Sequence, residues 1–198
     1  MDGVASELPD AAPRRAEPCQ PAHRVDPLVL CRKAGGEHAV TDRPAVISAL
    51  DAAVDEALLI TRSLAADDCR IASSGEGWPL VVVAYHIGLG LRRQAGFIAR
   101  ALTGERPFEF EWEPTHSLNA VNAREHGGMS KDEAATEIEA GRARLRSVIE
   151  RMTEEDWSRA VFSFGDRPRS ADVVLRRIVL PHVNEHLKSL RETMVAPR

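Results

Sequence analysis

The sequence predicts an all-α protein built as a four-helix bundle, and three observations predict it. Aromatic residues make up 5% of the 198-residue chain, so packing has to rest on aliphatic ridges, which suits helices better than a β-sandwich. Long segments repeat their apolar residues at spacings near 3.6, the helical period. No stretch of comparable length alternates with the period of a strand. A hydrophobic content of 43% and a charged content of 28% fit one domain with a substantial core.

Composition also excludes several classes. A net charge of -4 without a basic cluster argues against nucleic acid, because neutralising phosphates needs concentrated Lys and Arg. No apolar run approaches the roughly 20 residues that span a bilayer. The start, MDGVASELPD, has neither a basic segment nor an apolar core, so a cytoplasmic protein with no membrane partner is expected. Cys19, Cys31 and Cys69 are odd in number, widely spaced and without a CxxC, and are expected as free thiols.

Residues 1–43 hold Pro9, Pro13, Pro18, Pro21 and Pro27 and the pair Gly35-Gly36. They lack the apolar surface that offsets ordering entropy, which predicts a flexible Pro-rich tail carrying solvated His23 and His38 ahead of a domain over 44–198. The first helix is expected from Pro44 to about Ala66, with Val46, Leu50, Val54, Ala57, Leu58 and Leu64 on its apolar side. Proline suits the first turn, where its missing N–H has no partner to lose. The run ASSGEG at 72–77 then breaks the chain.

A second helix is expected from Trp78 to about Thr103. Its inward stripe carries Val82, Val83, His86, Gly90, Arg93 and Phe97. Gly88, Gly90 and Gly96 lower helix propensity by roughly 1 kcal/mol each but permit close helix approach. After Gly104, PFEFEWEP at 107–114 alternates aromatic with acidic residues. Phe108, Phe110 and Trp112 would share one face of an extended connection, pinned on the bundle or acting as a lid. Residues 115–126 suit a short helix with His116 and His126 at the surface and Asn119 and Asn122 bracing it. Ser130 and Glu133 form a capping-box pattern ahead of the third long helix, which runs to about Met152 through Ala134, Ile138, Leu145, Val148 and Ile149. TEEDW at 153–157 suits a capped turn, and SFGDRPRS a final loop. Ser170 is placed to cap the last helix, which runs to about Thr193. Its core stripe is Leu175, Ile178, Val179, His182, His186 and Ser189. Pro181 should distort this helix, since it removes a hydrogen bond and its ring meets the carbonyl of Arg177.

The chemistry concentrates in PHVNEHLKSL at 181–190. His182 and His186 are one turn apart on one helix face. With 7 histidines in the chain, about 0.25 such pairs arise by chance, so a third ligand is needed to give the pair meaning. His86 supplies one. It lies about 12 Å along its helix from Trp78, while the pair lies about 11 to 17 Å before Thr193, so the depths match if the second and fourth helices are antiparallel. Three neutral imidazoles bind zinc, nickel or iron and leave coordination positions open. The alternative is three core histidines satisfied by backbone carbonyls.

Arg93 is the polar exception on its stripe, suited to hold a substrate carboxylate or to pair with a glutamate. Glu185 suits a surface pair with an arginine. HVNEH also matches the inverted zinc-peptidase signature, but that site needs a further glutamate ligand well downstream, and 12 residues follow His186.

A helix beginning at Trp78 and carrying AYHI, a crossover containing NAVNARE, a capped third helix and a last helix carrying HVNEH resemble the DinB/YfiT-like superfamily. The resemblance covers about residues 44–195. It implies an up-down-down-up bundle with a long crossover between helices 2 and 3, a divalent metal on His86, His182 and His186, and a homodimer. It further implies a low-molecular-weight thiol and a small-molecule substrate, since the superfamily includes thiol-dependent transferases and isomerases. The branch of mycothiol-dependent maleylpyruvate isomerases has this layout with glutamate at the position of His182. The expected function is a metal-dependent thiol transferase or isomerase, with Arg93 and Trp112 binding substrate. A non-catalytic metal-binding or stress-response bundle and a metal-dependent hydrolase are the alternatives.

Overall fold

A computed structural model describes residues 43–165 and 167–195. The expected tail lies outside the described residues, with His23, His38, Cys19 and Cys31, except for Arg43. Arg43, the first described residue, lies in helix α1 (Arg43–Ser63), pairs with Glu154 and holds its guanidinium 4.9 Å above the Trp157 ring. At the other end, Lys131 donates to the carbonyls of Arg62 at 2.9 Å and Leu64 at 2.7 Å. Carbonyls without helical partners, which every helix C-terminus leaves, are thereby satisfied, and α1 stops three residues before the expected Ala66.

After a 3-10 turn at Asp68–Arg70 the chain doubles back. An isolated bridge joins Ala72 to Pro79, the Ser73 amide donates to the Trp78 carbonyl at 2.7 Å, and Gly77 takes a φ of 70°, which glycine adopts without strain. This narrow loop keeps Trp78 and Pro79 outside the helix. Helix α2 (Leu80–Leu102) therefore begins two residues after the expected Trp78.

Strand β1 (Phe108–Phe110) and helix α3 (Trp112–Glu125) form the crossover. Trp112 opens that helix instead of ending the extended stretch. Helix α4 (Lys131–Ile149) starts on the expected capping box, with both the Ser130 and Glu133 side chains engaged. Helix α5 (Glu154–Ser158) starts on a second box between Thr153 and Asp156.

The segment expected as a final loop is instead a hairpin of β2 (Ala160–Phe164) and β3 (Arg167–Ser170). β1 pairs with β2 in parallel, Phe108 to Phe162 and Phe110 to Phe164, making a three-stranded sheet. Strands of three to five residues are too short to show a period in sequence. Packing of the rings orders them, with Phe97 stacked on Phe108 at 3.8 Å and Phe108 and Phe110 against Phe162.

The last bundle element starts at α6 (Ala171–Val174), capped by Ser170, widens into a π-helical turn at Leu175–Val179, and continues as α7 (Leu180–Val195). The wide turn ends two residues before Pro181. Its i→i+5 bonding shifts the carbonyls that a proline ring would meet in a regular helix, so the expected distortion takes the form of a π-turn.

Helix directions follow from the contacts. Asp51, Asp55 and Arg62 of α1 meet Arg146, Arg142 and Glu139 of α4 in reverse order, so these helices are antiparallel. Gly88 of α2 faces Glu137 and Ile138, while Leu91 lies at Gly141, the same order along both helices, hence parallel. In α2 and α7, His86 lies against His186 and Gly90 against His182, antiparallel as the depth argument requires. The result is an all-α bundle running up-down-down-up, with the small sheet at its edge. Its core takes Val54 and Ala57 from α1, Leu80, Ile87, Leu91 and Ile98 from α2, Ile138 and Leu145 from α4, and Val183, Leu187 and Leu190 from α7.

The α2–α4 contact depends on two glycines. A Cβ on Gly88 would lie 2.5 Å from the Glu137 backbone, and one on Gly141 would lie 2.3 Å from the Gly88 carbonyl. Gly96 has nothing within 4 Å of a Cβ. Gly141→Ala is expected to destabilise the fold by about 1–3 kcal/mol through overpacking, whereas Gly96→Ala should stabilise it by up to about 1 kcal/mol through helix propensity. Urea denaturation of the two variants against the parent checks both signs.

Candidate metal centre

His86 comes from the second turn of α2, His182 and His186 from the first turns of α7. The structure brings all three together: one ring nitrogen from each lies within 4.8 Å of the others. Ring centroids are 5.1 Å apart for His86–His182, 4.9 Å for His86–His186 and 4.5 Å for His182–His186. The cluster exists because α2 carries glycine opposite His182. A Cβ on Gly90 would fall 2.4 Å from His182 Cε1, so any larger residue would displace the ring.

Trp78 packs against His86, 5.3 Å between centroids in a T-shaped contact. Of the aromatic residues, this tryptophan, not Trp112, touches the histidines. Trp112 is 39% exposed, stacks on His116 and meets Phe110 and Phe164 edge-on, and so belongs to the aromatic cluster of the crossover. His126 stands against Tyr85 at 4.2 Å. A cleft of about 510 Å³ lined by Phe97, Arg100, Arg106 and Phe108 opens beside β1 and includes none of the three histidines.

The loop between α1 and α2 contributes a residue that sequence reasoning passed over as part of a chain break. Glu76 places Oε1 2.7 Å from His186 Nδ1, and its Oε2 accepts from Ser189 Oγ at 2.5 Å and Ser73 Oγ at 2.8 Å. The Ser73-to-Glu76 spacing, the same as a capping box, was the available signal.

Electrostatics follow from burial. Burial, then the charges of His186 and Arg93, lower the pKa of His86 to about 3, with Glu76 opposing. Burial followed by His186, His86 and Arg93 moves His182 well below its ordinary value. Both imidazoles are neutral at neutral pH, the form that ligates metals. Burial pushes Glu76 up, but the hydrogen bond and charge of His186, with the hydroxyls of Ser189 and Ser73, outweigh it and hold the carboxyl at about 2.

Arg93 is half-buried and near enough for its charge to act on His86 and His182. Its Nη1 donates to Asn119 Oδ1 at 3.4 Å, and among the described residues no carboxylate lies within ion-pair distance of it. The expected pairing with glutamate is not formed. Asn119, expected as a brace of the short helix, is Arg93's partner.

A bundle with three imidazoles facing one point between antiparallel helices has the form of a metal-binding four-helix protein. The chain belongs to the DinB superfamily, whose model matches residues 30–190. Among solved structures, a mycothiol-dependent maleylpyruvate isomerase shares the fold, with a TM-score of 0.62 and 18% identity over 74% of this chain. The match covers 60% of that isomerase's length. No curated protein matches the chain.

The neutral histidines make metal-free stability depend on pH. His86, at about 3 against an ordinary 6.5, contributes stability that is complete above 6.5 and is lost as the pH falls toward 3, because protons bind the unfolded chain first. Glu76, at about 2 against 4.5, adds a loss of the same sign below 4.5. The urea midpoint of the metal-free protein should fall steadily from about pH 7 to about pH 4.5, and His86→Leu should flatten that slope.

Proposed function

We propose that the chain is a metal-dependent enzyme that uses a low-molecular-weight thiol to transfer or rearrange a small electrophilic substrate. The observation that carries this reading is the convergence of His86, His182 and His186 on one point. The donor set fits a transition metal: three imidazoles suit zinc, nickel or iron, whereas calcium and magnesium take oxygen ligands. The ion would supply a Lewis acid that stabilises a thiolate or hydroxide at neutral pH.

The chain's own residues would do the rest. Burial keeps His86 and His182 neutral, so these two need not first release a proton. Trp78 packs against His86. Arg93, whose partner is a neutral amide, suits a carboxylate of the substrate or of the thiol, through two parallel N–H···O bonds. Trp112, partly exposed at the crossover, offers a ring face for the substrate's apolar part. A homodimer in the cytoplasm completes the proposal. Membership of the superfamily and a fold neighbour that is a thiol-dependent isomerase support the thiol as co-substrate.

Elemental analysis of purified protein should find about one equivalent of a divalent transition metal per chain, and His182→Ala should lose most of it. Equal, substoichiometric metal in both would remove the centre. Turnover of a chlorinated or epoxide substrate should require an added thiol. Turnover without thiol would instead favour hydrolysis, and none across a broad panel a metal-binding bundle without catalysis.

Arg93→Ala should leave the metal content unchanged and raise KM about tenfold or more for a carboxylate-bearing substrate or thiol, the scale of a lost charged hydrogen bond. Steady-state kinetics on carboxylate and ester pairs check this, with the ester indifferent to the substitution.

A further inference from the structure

We infer that Glu76 is a positioning residue for the histidine centre, fixing the tautomer and orientation of His186 through a loop that is clasped onto α7. The inference rests on the reading of the three histidines as a metal centre, and extends it to a residue outside the ligand set.

Each oxygen of the Glu76 carboxylate has a separate task. Oε1 faces His186 Nδ1 at 2.7 Å. Oε2 is held by the hydroxyls of Ser189 at 2.5 Å and Ser73 at 2.8 Å. An ionised carboxylate only accepts hydrogen bonds, so Nδ1 must donate and carry the proton. In the neutral ring Nε2 then keeps the free lone pair and is the nitrogen able to ligate. A carboxylate on the far nitrogen of a ligating imidazole fixes the ring and raises its basicity.

The carboxylate can hold the ring only if it is itself held, and the loop provides this. The Gly75 amide donates to Ser189 Oγ at 3.2 Å and the Ser74 amide to Thr193 Oγ1 at 2.9 Å. Thr193 Oγ1 in turn reaches Ser74 Oγ at 3.3 Å. A Cβ on Gly75 would lie 2.8 Å from Ser189 Oγ, so glycine lets the loop lie directly on α7. Residues 73–76 thus bind the same helix that carries His186, at Ser189 and Thr193, the next two turns along.

The test uses the full-length protein, with zinc as the probe. Long-range 15N–1H correlation spectra of the metal-free protein near neutral pH should show His186 protonated at Nδ1, with Nε2 the nitrogen whose resonance moves when zinc is added. Glu76→Gln, whose amide can donate as well as accept, should let the His186 tautomers mix and weaken zinc affinity by about 10- to 100-fold, the range for lost outer partners of ligating histidines. Ser189→Ala keeps the carboxylate and removes one brace. It should weaken zinc by about 2- to 5-fold, a smaller loss on the same scale, and it carries the test if Glu76→Gln does not fold. His186 protonated at Nε2 in the parent, or unchanged tautomer and zinc affinity in the variants, would overturn the inference. Failure of the parent itself to bind zinc would refute the metal centre, a distinct outcome, because the tautomer is read without metal.

Discussion

The centre depends on how closely α2 approaches α7. Where Gly90 faces His182 there is no room for a methyl group, and that proximity is what puts His86 within reach of the pair on the last helix. On its other side α2 lies equally close to α4, through Gly88 and Gly141. One helix is therefore gripped on two faces at glycine contacts, and interiors packed at crystal density transmit any shift at such contacts. The chain accepts three propensity-lowering glycines in the middle of α2; two of them give the close approaches, and Gly96 has no such contact.

Three imidazoles in one place raise an electrostatic problem, since positive charge on any of them disfavours it on the others. Burial answers this for His86 and His182 by keeping them neutral. His186 differs in holding its Nδ1 2.7 Å from the Glu76 carboxylate. Arg93 adds positive charge nearby with an amide as its partner. A site with neutral nitrogen donors and a guanidinium beside them suits an anionic group, and a thiolate or carboxylate has that character.

Much of this was legible in the sequence, for a physical reason. Long amphipathic helices announce themselves because a core stripe repeats over many residues, and the glycine-lined stripe on α2 and the HxxxH pair on α7 lie on such stripes. Elements built by tertiary contact were not legible. The hairpin at Ala160–Ser170 packs its Phe162 and Phe164 against Phe108 and Phe110 of β1 and Trp112 of α3, so its residues taken alone suit a loop. Glu76 sits in a loop whose local pattern of small and polar residues signals only a turn, and its role appears once Ser189 and His186 are brought beside it across more than a hundred residues. Trp78 was taken as the start of a helix and is instead the edge of the centre.

X-ray absorption at the metal edge of the protein loaded with one equivalent of zinc reads the ligands of the centre directly. Ligation by His86, His182 and His186 gives a first shell dominated by nitrogen at about 2.0–2.1 Å, with the multiple-scattering signature of three imidazoles and room for one oxygen or sulfur ligand. A shell of oxygens alone, or a fit requiring no more than one imidazole, would contradict it.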